Sequence, residues 1–192
     1  AILIAPIFLA FDAFYSMNSF EILFWTISIY FFIRIVKGNS YNNWFFLGIS
    51  LGIGAMNKIS IFWLAGAIVF ALLLSPARKE LLKRDFFIAV GTALLLFSPY
   101  IIWQFFNDFA SVEFARNIAN GKYKSMSPVE FLLEQMFILH PIGSLVWISG
   151  LFYIFFSKKM KVFRPVGYAY CVVLLLLLTN SSSKPMYMAP VY

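Results

Sequence analysis

Charge is scarce in this chain. Of 192 residues only 12% are charged, against 62% hydrophobic and 20% aromatic, and the mean hydropathy is +0.85. That shortage excludes an ordinary soluble helical domain, whose helices need a polar stripe; segments 20–36, 86–106 and 130–156 are apolar nearly all round. Cysteine is reduced to Cys171, which rules out an intrachain disulfide and leaves the redox compartment open. The one histidine, His140 in "FILHPIG", has no Cys, His or acidic partner at metal-ligand spacing, so a structural role is expected and no metal site is. No Gly-rich phosphate loop, nucleophile elbow or Cys/His cluster occurs. "LGIGAMNK" lacks the strand that a dinucleotide fingerprint requires.

What is present is a series of apolar segments separated by short polar stretches. A bilayer core about 30 Å thick takes roughly 20 helical residues, which divides the chain into 1–11, 20–36, 44–56, 59–74, 86–106, 130–156 and 163–179. The expected fold is all-α: a polytopic integral membrane helical bundle, one transmembrane unit over 1–192 with six or seven helical segments. The chain starts without Met inside "AILIAPIFLA" and stops inside "APVY", which reads as a fragment whose flanking parts are missing. No positive n-region or small-residue cleavage site marks a signal peptide.

Residues 44–74 could form one long helix, but Lys58 would then sit in mid-membrane at a cost of about 2.5 to 3.5 kcal/mol. A break at Asn57-Lys58 avoids that cost and decides the topology. With it, Arg34, Lys37, Arg78, Lys79, Lys83, Arg84, Lys158, Lys159, Lys161 and Arg164 share one face, ten of the fifteen basic residues. By the positive-inside rule this face is cytoplasmic. The other face holds Lys58, Arg116, Lys122, Lys124 and Lys184 with six acids, Asp12, Glu21, Asp108, Glu113, Glu130 and Glu134. The net charge of +7 thus lies at membrane edges, where anionic lipid headgroups account for it and nucleic acid does not.

Three polar stretches fall on the outer face: "FDAFYSMNSFE", "FFNDFASVEFARNIANGKYKSMSPVE" and the closing "SSSKPMYMAPVY". The middle one is long enough to be functional, and its aromatics argue against disorder. It ends in Ser127, Pro128 and Glu130, a capping box with proline at the first helical position. Glu134 follows one turn later, and an acid so near hydrocarbon is a functional candidate, with placement in interfacial water as the alternative. In the closing stretch, Lys184 is a point charge suited to a phosphate at headgroup depth, and Tyr187 adds a hydroxyl three residues on. A snorkelling lysine beside an aromatic belt is the alternative reading.

The strings "YSMNSFEILFW", "GIGAMNKIS", "SPYIIWQFFND" with "VEFARN", and "SKPMYMAPVY" resemble, in order, the polytopic glycosyltransferases of family 39 and their relatives. These include the protein O-mannosyltransferases and the lipid A aminoarabinose transferases of GT-C fold. The resemblance implies transfer of a sugar from a polyprenyl- or dolichyl-phosphate carrier to a glycan, lipid or protein acceptor on the outer face of the cell's inner or plasma membrane. The anomeric configuration inverts, and the lipid phosphate leaves. It further implies donor-phosphate binding by Lys184 and Tyr187, and a substrate cavity bordered by Asn18, Lys58, Glu113, Arg116, Asn117 and Glu134. The family's leading carboxylate is expected upstream of Ala1. Where relatives often carry an Asp, this chain has Asn18, followed by Glu21, which could supply the charge. A transporter or flippase for a lipid-linked substrate would share these helices but should show inverted repeats, and no internal repeat is visible. A purely structural membrane subunit would give Lys184 and the long loop no role.

Overall fold

A computed structural model describes residues 16–39, 42–119, 126–180 and 183–191. No strand occurs among them. The helices are α1 (Met17–Val36), α2 (Asn43–Asn57), α3 (Ile61–Leu73), α4 (Arg84–Phe106), α5 (Ala110–Ala119), α6 (Pro128–Ile138), α7 (Pro141–Phe156) and α8 (Arg164–Thr179). Three 3-10 helices join or close them: Pro76–Leu82, Lys158–Phe163 and Pro185–Val191. The expected segment 1–11 lies outside the described residues.

Helices α1, α4 and the run Lys158–Thr179 are each long and apolar enough to cross a membrane alone. Their surfaces are greasy on the outside: Phe87, Leu95 and Phe106 on α4 are 61%, 73% and 84% exposed, an outer layer suited to lipid and not to water. The core beneath is built from Trp25, Phe32, Leu47, Ile61, Leu64, Leu72, Val173 and Leu177.

Helix α2 packs against α1 and α4. It runs antiparallel to α1, with Ser50 bonded to Ser28 and Asn57 bonded to Met17, and parallel to α4, with Gly48 against Ala89 and Gly52 against Ala93. Gly48 is required by this approach, since a Cβ there would lie 2.8 Å from the Ala89 Cα and nearer still to its carbonyl oxygen. Small residues let the two backbones close where no hydrophobic gain between helices is available in lipid. At 15 residues α2 is only about 22 Å long, so it falls short of a full span.

Helix α2 stops at Asn57 and Lys58 is extended, the point where the sequence places a break. Two other expectations change. The segment 130–156 is not one helix: α6 and α7 meet at a bend of 112°, with His140 at φ 67° between them. Proline at 141 disfavours helical backbone in the residue before it, and His140 serves as the cap of α7, its Nδ1 accepting the Ile142 N–H at 3.4 Å. The long polar stretch is not all loop either, because it contains α5, whose sequence is strongly amphipathic.

The ten basic residues grouped by sequence lie together at one end of the helices. Lys37 at the end of α1 rests over the Phe163 ring at 5.2 Å, and the start of α2 meets the start of α4 through Trp44 and Phe86. The opposite end holds the start of α1, the α2–α3 link and the closing 3-10 helix.

Candidate functional site

At that opposite end, Ser16 caps α1 by accepting the Asn18 N–H at 3.3 Å, which sets Asn18 and Glu21 on the first turns. Asn57 ties the end of α2 to this start, its Nδ2 donating to the Met17 carbonyl oxygen at 2.8 Å. The link between α2 and α3 is therefore held over α1. Two of its residues reach the same carboxylate.

Lys58 Nζ donates to Glu21 Oε2 at 2.5 Å and to Asn18 Oδ1 at 3.1 Å, while Ser60 Oγ donates to Glu21 Oε1. Glu21 is buried, and both its oxygens are engaged. A carboxylate at this depth is tolerated because a cation and a hydroxyl replace its water. The ring of Tyr187 closes one side: Lys58 Nζ lies 5.5 Å from its centroid, within cation–π range, and Trp63 packs against it edge-to-face with ring centroids 6.5 Å apart.

Tyr187 belongs to the closing 3-10 helix, which is sunk into the bundle through Pro185, Met188, Ala189 and Pro190. Its first turn is closed by the Tyr187 N–H donating to the Lys184 carbonyl oxygen at 3.0 Å. Lys184 itself is half-buried. Gln135 on α6, fully buried, donates from Nε2 to the Pro185 carbonyl oxygen at 2.7 Å.

The structure thus brings Asn18, Glu21, Lys58 and Tyr187 into one cluster, with Lys184 on the same closing segment. The other candidates stand on α5 and α6. Glu113, Arg116 and Asn117 are exposed on α5, which is joined to α4 by Ser111, bonded to Tyr100 at 2.6 Å and to Gln104. Glu134 is exposed, and its neighbour Gln135 is the side chain that turns inward. Sequence reading missed Ser60, Trp63 and Gln135. Ser60 stood two residues after Lys58 in "NKIS", but only the fold shows both reaching one acid.

Beside this cluster, starting at Ile59, a cavity of about 450 Å³ opens between α3, α4 and α5, lined by Phe62, Phe97, Tyr100, Ile101 and Val112 among others. Among the described residues no three His, Cys, Asp or Glu side chains gather as a metal site would require.

A family model described as dolichyl-phosphate-mannose-protein mannosyltransferase matches residues 1–103, more than half of the chain. The chain belongs to this mannosyltransferase family. Membership makes it a membrane glycosyltransferase chain, of a family that takes a lipid-linked sugar donor. The matched part includes α1 to α3 and most of α4, and with them Asn18, Glu21, Lys58 and Ser60; the segment carrying Lys184 and Tyr187 lies beyond it. No curated protein and no solved structure matches the chain.

Proposed function

We propose that this protein moves a sugar from a polyprenyl- or dolichyl-phosphate carrier to an acceptor hydroxyl at the non-cytoplasmic face of the membrane. The observation that carries this reading is the meeting of the closing Lys184–Tyr187 segment with the Asn18–Glu21–Lys58 cluster, opposite the basic end of the bundle. Ten cations at one end support a cytoplasmic side there by the positive-inside rule, and with it a cluster on the outer side.

The chemistry asks for two things. As the acceptor oxygen bonds to the anomeric carbon and the bond to the phosphate oxygen breaks, the acceptor proton must go to a base and the new charge on the phosphate must be held. Lys184 and Tyr187 hold that phosphate. Glu21 suits the base role poorly, with both oxygens already bonded, so the proton goes to a carboxylate outside this cluster. The apolar cavity next to the cluster takes the first isoprene units of the carrier, since it starts one residue from Lys58 and is lined by aliphatic and aromatic groups.

The test is Lys184→Ala in the full-length protein, assayed for transfer from a polyprenyl-phosphate sugar and for donor binding. Loss of one charge-assisted contact that tightens in the transition state costs about 10²- to 10³-fold in rate. Near-normal transfer and donor affinity at unchanged folded yield would place the phosphate elsewhere.

A further inference from the structure

We propose that Lys58 is a second cation of the phosphate site, facing the same ligand group as Lys184, with Glu21 as the buried counter-ion that fixes its place. This rests on the glycosyltransferase reading above and extends it.

Depth separates the two members of the pair. The Glu21 side chain is 7% exposed and that of Lys58 24%, so the acid stands behind and the cation faces out. An ammonium group has three N–H donors. Glu21 and Asn18 take two, which leaves one for a ligand. The Tyr187 ring flanks Nζ with its centroid 5.5 Å away, and the partial exposure of the Lys58 side chain leaves room for a ligand. Lys184 stands three residues before Tyr187, at the head of the closing segment, where its carbonyl oxygen accepts the Tyr187 N–H. Lys58, from the link between α2 and α3, therefore stands over a ring of the same short segment that carries Lys184.

A buried ion pair is no better for stability than a well-packed apolar pair, and the Lys58–Glu21 bridge needs another reason to sit in a membrane bundle. Holding a cation ready is such a reason. Lysine normally loses side-chain freedom when it grips an anion; tethered by Glu21 and Asn18, Lys58 has already lost it. The demand for a second cation comes from the reaction. A glycosyl polyprenyl phosphate is a phosphodiester with one negative charge. The departing polyprenyl phosphate is a monoester that approaches two, and a lysine bonded to it as the carbon–oxygen bond breaks favours departure.

The decisive variants are Lys58→Gln and the double change Glu21→Gln with Lys58→Gln, made in the full-length protein in lipid nanodiscs. The double change leaves no charge unpaired and carries the test if the single variant does not fold. The probes are decaprenyl phosphate, neutral decaprenol and phosphatidic acid. Loss of one charged hydrogen bond predicts decaprenyl phosphate binding about 10- to 100-fold weaker in both variants, with decaprenol binding unchanged. Wild-type affinity and transfer in the double variant would show that the pair is only structural and overturn the proposal, leaving the glycosyltransferase reading intact. Equal, Lys58-dependent binding of phosphatidic acid would overturn assignment to the donor in favour of a bulk lipid headgroup. A wild-type protein that neither binds decaprenyl phosphate nor transfers sugar would overturn both.

Discussion

Gln135 on α6 reaches across fifty positions of sequence to donate a 2.7 Å hydrogen bond to the carbonyl oxygen of Pro185. Both partners are buried, and the bond fastens the start of the closing 3-10 helix one residue after Lys184. Gln135→Leu leaves that carbonyl without this donor, at a cost of about 1 to 3 kcal/mol. Donor affinity should fall with it, while Glu134→Gln, on the exposed side of the same helix, should change neither. Thermal unfolding in detergent and donor titration of the two variants check this.

Arg116 is exposed on α5. If α5 forms the mouth of the substrate cavity, Arg116→Ala raises KM for donor or acceptor with kcat little changed. The loss should be smaller than that of Lys184→Ala. Steady-state kinetics with both substrates varied separates the two; unchanged kinetics removes Arg116 from the cavity.

Gly48 sits where α2 and α4 touch backbone to backbone, whereas Gly66 on α3 faces open space. Gly48→Leu should therefore destabilise the protein by about 1 to 3 kcal/mol through overpacking. Gly66→Leu should cost far less. Melting temperatures of the two variants decide it.

His140 holds φ at 67° where α6 bends into α7. A β-branched residue there costs about 1 to 3 kcal/mol in backbone strain. His140→Val should lower the folded yield, and His140→Gly, free of the Cβ penalty, should keep more of it. If the two variants express and melt alike, the bend is not held at this residue.

Topology is checked by single cysteines at Lys83 and Glu113 in a Cys171→Ser background. In sealed cells an impermeant maleimide should label position 113 and spare position 83. Labelling of both from one side would undo the assignment of faces.

Much of the architecture was legible because lipid constrains it. Apolar runs with charges confined to their ends have few solutions other than helices, and Ser127 with Glu130 marked a helix start that the structure shows as a reciprocal cap, Ser127 N–H to Glu130 Oε2 at 2.8 Å and Glu130 N–H to Ser127 Oγ at 3.2 Å. The break before Lys58 followed from the cost of a lone cation in hydrocarbon. The bend at His140 was signalled by the proline after it, yet the apolar residues on both sides masked the signal. Helix α5 was hidden for the opposite reason: a short amphipathic helix in a polar stretch looks like loop when only hydropathy is counted.

The sequence by itself determined that this chain lives in a membrane, that it is helical, and which ends of its helices carry the positive charge, because each of these depends on the cost of placing a side chain in hydrocarbon and on its nearest neighbours. Only the tertiary structure decided that Glu21 is a partner of Lys58 and Ser60, that Gln135 and not Glu134 turns inward, and that Tyr187 comes to lie beside a lysine 129 positions earlier. Those pairings depend on how α1, α2, α6 and the closing segment pack. Packing is set by close contacts such as Gly48 on Ala89, which link residues far apart in the chain and leave no mark in any local pattern.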